Sequence, residues 1–296
     1  MVQTAGTGNL ASAQRIVIEQ ARYTAEHNAP MLQLVEKFKL AEGVKQIDVP
    51  KVGQFTAQSV GDGVDIVDEQ DIGMTITTLT TSEVGMKIIL TDKLVRQMQE
   101  DTMKIVGRQA GDAMARKKDN DLTALFSSLN GGTDLGATTV DMELGNYTVL
   151  INFMRVANAP KPWQVVQHPG ALTTFAASTF GYAGSGTMGA AVGAGAVITT
   201  TDAMKGILQD FYAFSLGGVP AYHDGNITID ANDDTQGAVF SRSALAYAES
   251  IEYRQEIERD ASLRANELVW VSDYGVFELD DSYGAGCLFS ATPATD

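Results

Sequence analysis

The longest regular pattern in the chain lies between residues 91 and 129. Leu94, Val95, Met98, Ile105, Val106, Ala113, Leu122, Leu125, Phe126 and Leu129 recur at the period of an α-helix, with Thr102, Gln109, Lys117 and Asp121 filling part of the same stripe. Thr91 or Asp92 is placed to cap the first turn, and Asn130-Gly131-Gly132 to stop the last. A helix of that length extends roughly 58 Å. Gly107 and Gly111 inside it each cost about 1 kcal/mol relative to alanine, so a kink or the close approach of another backbone is expected there.

Ahead of this helix the pattern changes to alternation. Val44, Ile47, Val49, Val52 and Phe55 lie among polar neighbours, interrupted by Pro50 and Gly53. Gly61-Asp62-Gly63 and an acidic stretch (Asp65, Asp68, Glu69, Asp71) follow. Then come Ile72, Met74 and Ile76, and after them Val84, Met86 and Ile88. Two extended segments about a Gly/Asp turn predict a long antiparallel hairpin over residues 44–90. Such a hairpin is not stable alone in water. No partner for it is evident in the chain, so a neighbouring subunit is the expected support. Residues 1–43 read as an arm: a small polar start, a helix from Leu10 to His27 closed by Pro30, and a short helical piece from Met31 to Leu40.

The middle, residues 146–250, alternates helix and strand. Asn146 is expected to cap a helix carrying Val149, Leu150, Phe153 and Met154; Trp163 to Val166 is a buried strand, and Pro169 opens the next helix. An Ala/Gly-rich stretch from Phe180 to Val197 reads as a loop. Beyond it come a helix from Asp202 to Tyr212, a strand and turn from Leu216 to Tyr222, a strand at Ala238–Phe240 and a short helix from Ser243 to Tyr247. Residues 251–289 read mainly as strand.

Composition narrows the function classes. With 296 residues, 44% of them hydrophobic and 20% charged, the chain is that of a folded globular protein. It has no apolar run of the roughly 20 residues that span a bilayer. The start, Met1 to Gly6, lacks the basic-then-apolar order of a secretory signal, so cytoplasmic residence is expected and the glycosylation-like triplets at Asn146 and Asn226 carry no weight. A single cysteine, Cys287, excludes an internal disulfide and a cysteine-based zinc site. The formal net charge of −16 opposes binding to phosphate backbones, so any DNA would be contained rather than recognised.

Candidate chemistry is thin. Gly184-Ser185-Gly186-Thr187-Met188-Gly189 satisfies a dinucleotide fingerprint, but a helix precedes it, more Gly and Ala follow, and Asp202 is a loose match for the ribose-binding acid; a loop is the better reading. His27, His168 and His223 fall in different segments without ligand spacing, and His168 is expected to hydrogen-bond backbone at a strand-to-helix junction. Cys287 reads as a buried small hydrophobe. The acidic cluster Asp62, Asp65, Asp68, Glu69 and Asp71 lacks the EF-hand order and reads as a solvated tip. No catalytic, cofactor-binding or metal-ligating residue is assigned.

The order arm, long hairpin, long helix, α/β insert and returning strands resembles the Hong Kong 97-type major capsid fold of tailed phages. Individual stretches resemble it too: Val84-Gly85-Met86-Lys87-Ile88-Ile89-Leu90-Thr91 leading into the long helix, Val165-Val166-Gln167-His168-Pro169 before a helix, Gly217-Gly218-Val219-Pro220-Ala221-Tyr222, and Leu268 to Val276 with its Tyr274-Gly275 turn. The resemblance implies an α+β chain divided into an N-arm (1–43), an extended β-hairpin loop (44–90), a peripheral domain with a spine helix (91–145), an axial α/β domain (146–250) and peripheral closing strands (251–296).

It further implies a non-enzymatic head protein of the virion. Its hexamers and pentamers would enclose double-stranded DNA in an icosahedral shell, alongside a portal protein and with a decoration protein left open. The start at Met1 leaves little room before the hairpin for a fused scaffolding extension, so a separate scaffolding protein is expected. The family prototype's covalent cross-link needs Lys, Asn and Glu; Lys51 or Lys45, Asn266, and Glu267 or Glu278 are of the right types, but they match loosely, and noncovalent shells are expected. An encapsulin-type compartment and a gene transfer agent share this reading of the fold, and a cytoplasmic α/β enzyme is the rival from another class.

Overall fold

The computed structural model describes residues 30–41, 44–53, 55–57, 59–63, 65, 71–97, 100–180 and 212–291. The Leu10–His27 helix, the Gly184–Gly189 motif, most of the Asp202–Tyr212 helix, His27, Asp68 and Glu69 lie outside the described residues.

The chain enters through α1 (Met31–Leu34) and passes at once into β1 (Glu36–Lys39). The expected helix to Leu40 therefore ends after one turn. Val35 is extended (φ −102°, ψ 166°), and Glu36–Lys39 pairs in parallel with Ala246–Glu249 at a sheet edge. The hairpin is built from β2 (Gln46–Val52) and β3 (Met74–Thr80), in register from Gln46↔Thr80 to Val52↔Met74. Its far turn falls at Asp62-Gly63, where Gly63 has the positive φ of 75° that glycine tolerates.

β4 (Ser82–Thr91) is a correction to the hairpin as read from sequence. Val84, Met86 and Ile88 do not continue it; they pair antiparallel with the returning strand, Met86 opposite Trp270. The alternation was correctly read, but alternation does not say which strand lies opposite. Next comes the helical region, α2 (Asp92–Gln97) and α3 (Glu100–Thr123), followed by one turn of 3₁₀ helix at Ala124–Ser127. Thr91 Oγ1 accepts the Leu94 amide at 3.3 Å as the cap. Asn130, Gly131 and Gly132, all at positive φ, stop the run. Nothing lies within 4 Å of a side chain built at Gly107, and at Gly111 only the Tyr253 hydroxyl, at 4.0 Å, comes that near. The expected backbone approach is therefore absent within the described chain.

After β5 (Leu135–Gly136) come α4 (Leu144–Val156), β6 (Trp163–Gln167), α5 (Pro169–Phe180), β7 (Tyr212–Leu216), β8 (Val219–His223) and β9 (Asp234–Ser241). Asn146 does not cap α4, which begins two residues earlier. Its side chain instead donates to the Asp141 carbonyl at 3.0 Å. The stripe that α4 buries is Tyr147, Leu150, Ile151 and Met154, leaving Val149 exposed. Tyr212 opens a strand rather than ending a helix. Ser243–Tyr247 is likewise a turn leading into β10 (Leu245–Asp260), because Leu245 to Ala248 is an apolar run flanked by strands on both sides. Periodicity cannot separate such a run from a buried helical turn. Finally, β11 (Ala265–Glu278) and β12 (Gly284–Ser290) close the chain.

Two large sheets result. One is four-stranded, ordered β1-β10-β11-β4; the other is six-stranded, ordered β5-β12-β9-β6-β8-β7. They cut across the divisions drawn from sequence, since β5 and β12 complete the sheet whose other members come from residues 146–250. The six-stranded sheet packs Val165, Val239, Cys287 and Phe289 against the buried faces of α4 and α5. A second cluster joins Met31 and Val35 to Leu122, Phe126 and Leu129 at the end of the helical region and to Phe240 and Tyr247. It holds the two sheets and the chain entry together.

Candidate functional site

The most conspicuous surface of the chain is its two-stranded hairpin. The base is anchored. Leu79, fully buried, sits with Leu40, Ala246 and Ala248, flanked by Ile47, Val49 and Phe277. Lys51 reaches Asp280 at 2.5 Å and lies over the Tyr283 ring, and Thr81 Oγ1 donates to Asp273 at 2.9 Å. The expectation that the hairpin lacks any partner in its own chain is thus corrected at its root.

Gly275 makes this seat possible. Tyr274-Gly275 is not a turn but mid-strand in β11. A Cβ at Gly275 would collide with the Thr80 carbonyl and the Phe277 ring, so glycine serves close backbone approach here.

Beyond the root the hairpin is exposed and apolar. Val52, Phe55, Val60, Ile72, Met74 and Ile76 are all at least about half exposed, Phe55 reaching 60%. Val52, Met74 and Ile76 share one face of the ladder, and monomeric proteins rarely leave large contiguous apolar patches in water. Asp62, Asp65 and Asp71 stand exposed at the far end.

The helical region behind this sheet is fixed by a polar network. Lys118 Nζ pairs with Glu249 at 2.9 Å and lies over both the Tyr247 and Tyr274 rings, 5.5 and 5.2 Å from their centroids. Tyr247 donates to Glu249 at 2.8 Å, Tyr274 donates to Asp121 at 2.7 Å, and Lys117 pairs with Asp121 at 2.6 Å. Burial first, then the acceptor carboxylates, push both phenols well above their ordinary range, so they serve here as donors. At the N-terminus of α2, Arg259 grips Asp92 with two bonds of 2.5 and 2.7 Å. That hydrogen bonding holds the Asp92 carboxyl below its usual range.

The residues singled out for chemistry are dispersed. His168 Nδ1 accepts the Gly170 amide at 3.0 Å at the start of α5. His223 lies half-buried at the end of β8. Cys287 is fully buried, its thiol pushed up by that burial. Among the described residues no three His, Cys, Asp or Glu side chains converge as a metal-binding group.

Four of the cross-link candidates have other partners within the chain. Lys51 holds Asp280, Glu267 pairs with Lys87, the Asn266 carbonyl accepts from Arg259 at 3.3 Å, and Glu278 accepts from Ser128 at 2.9 Å. A cavity of about 330 Å³ beside α3 is lined by Asn120, Thr123, Ala124, Ser127, Asn226, Ile227, Thr228 and Gln236. No helix among the described residues is long and apolar enough to cross a membrane.

No family model and no curated protein sequence matches the chain. Solved structures do. Mycobacterium phage Che8 matches with a TM-score of 0.66 at 15% identity, over 94% of this chain and 96% of the other. The head of Helicobacter pylori bacteriophage KHP40 matches at 0.64 and 10% identity, over 98% of each chain. This chain has the Hong Kong 97-like capsid fold. The fold is shared more widely: the holo-SrpI encapsulin complex from Synechococcus elongatus PCC 7942 matches at 0.61 and 11% identity, over 97% of each chain.

Proposed function

We propose that the chain is the major capsid protein of a tailed phage, assembling through hexamers and pentamers into an icosahedral shell around double-stranded DNA. The observation that carries this reading is the extended loop: an apolar strip rooted in its own sheet by Leu79 and Lys51, exposed beyond, in a chain with the capsid fold. Its role is mechanical rather than catalytic, and its place is the virion. We assign the four-stranded sheet with the spine helix to the peripheral domain, and the six-stranded sheet with α4 and α5 to the axial domain.

The subunit's principal partner is itself. Chemically identical subunits must fill both five-fold and six-fold environments, which calls for curvature control by a separate scaffolding protein and for a portal at one vertex. An acidic shell of formal charge −16 per chain gives DNA no electrostatic foothold, consistent with motor-driven entry.

Electron microscopy of the purified chain, alone and with a scaffolding protein, is the direct test. Closed shells or capsomers are expected; monodisperse small particles under all conditions would overturn the reading. The encapsulin alternative, favoured by the SrpI likeness, predicts shells loaded with protein instead of nuclease-protected DNA.

Shell stability is expected to be noncovalent, because the match to the prototype's residues is loose and Lys51, Asn266, Glu267 and Glu278 are engaged with other groups. Particles boiled in detergent should run as one band near 31.5 kDa. A ladder of covalent oligomers would contradict this and point to Lys51 or Lys45.

A further inference from the structure

Where the described chain begins, two buried carboxyl groups meet. Asp119 on the spine helix is fully buried and Asp224, just after β8, is 1% exposed. The Asp119 oxygens are already engaged: one accepts the Met31 amide at 3.0 Å, the other the Asn226 side-chain amide at 2.8 Å. Asp224 Oδ1 accepts the Asn226 backbone amide at 2.8 Å, while Asp224 Oδ2, equally buried, has no donor among the described residues. A buried carboxylate oxygen without a donor is costly, and two buried carboxylates in contact cannot comfortably both be charged. Both difficulties vanish if Asp224 carries a proton and itself donates to Asp119.

We propose that Asp119 and Asp224 form a shared-proton latch that pins the chain entry at Met31 to the spine helix and loosens as the medium becomes alkaline. The latch joins three elements by hydrogen bonds, beneath the apolar cluster they share: α1 through Met31, the spine helix through Asp119, and the segment after β8 through Asp224 and Asn226. Leu34, one turn on, is held separately, its carbonyl accepting from Gln164 at 2.5 Å. The latch therefore sets how firmly the first turn is seated rather than whether the chain folds.

Burial first, then the hydrogen bond and charge of Asp119, raise Asp224 to about 8. Asn226 opposes this in part, and among the described residues no cation acts on Asp224. His223, adjacent in sequence and half-buried, is not among them either. A proton held more tightly in the folded chain stabilises it fully below the ordinary carboxylate range of about 4. That stabilisation declines as pH rises and is gone once pH passes about 8.

The test is hydrogen exchange on the peptide spanning residues 30–35 in the full chain at about pH 5, 7 and 9, corrected for intrinsic exchange. Wild-type protection is expected to fall about ten-fold or more across this range, since each unit of proton affinity is a factor of ten. Asp224→Asn, whose amide supplies the donor without a proton to lose, should hold its protection nearly constant. Parallel profiles for the two proteins would overturn the proposal. So would protection that depends on added calcium or on a chelator, which would make the pair a cation site. An infrared carbonyl band of a protonated carboxyl in the wild type at neutral pH, missing from Asp224→Asn, is also expected. Its absence from the wild type would overturn the latch even if the variant failed to fold.

Discussion

Excising residues 54–72 and joining Gly53 to Gly73 through an Asn-Gly turn is expected to yield a soluble, folded subunit that forms no closed shells. The ladder from Gln46↔Thr80 to Val52↔Met74 survives the excision, as does the Gly53 amide to Gly73 carbonyl bond of 2.6 Å at its end. A two-residue Asn-Gly connection suits the twist of such a pair. Leu79, Lys51 and the Gly275 seat are untouched, so the urea midpoint should stay close to that of the wild type. What is lost is Phe55, Val60 and Ile72, a large part of the exposed apolar strip. Sedimentation and electron microscopy decide the matter. Closed shells of normal size from the shortened chain would show that the loop is not an assembly element.

The largest stability effect is expected at Trp270. It is 1% exposed and lies between the four-stranded sheet and the helix, among Leu90, Leu94, Ala110 and Leu268, with Met86 and Ile88 packed alongside. Trp270→Ala removes the main contact by which β11 carries the helix, and the helix cannot collapse into the void without drawing α2 off its Arg259–Asp92 clamp. The expected cost is about 3–5 kcal/mol, a large share of the roughly 5–15 kcal/mol that keeps a domain folded. Urea unfolding of disassembled subunits would measure it. A loss below about 1 kcal/mol would mean that the cluster repacks freely and that the helix is held mainly by Lys118 and its neighbours.

The order of parts was legible in the sequence because local rules suffice for it. A sustained helical stripe from Leu94 to Leu129, the cap at Thr91, the stop at Asn130-Gly131-Gly132 and the alternation about Asp62-Gly63 are each set by residues a few positions apart. The separation of His27, His168, His223 and Cys287 along the chain is likewise plain in the sequence.

Pairing was not legible, since it depends on residues far apart in the chain. Val84 to Ile88 alternate equally well as hairpin or as sheet, and only Trp270, which Met86 faces across the ladder, decides which. Glu36–Lys39 became strand because β10 offered an edge, and Leu245–Ala248 because strands flank it on both sides. Gly275 resembled turn chemistry, but its lack of a side chain is required by the Thr80 carbonyl of a strand nearly two hundred residues earlier. Asp119 and Asp224 gave no signal at all. Each is an ordinary acidic residue in its own segment, and only burial against the other, where water can no longer screen them, gives the pair its chemistry.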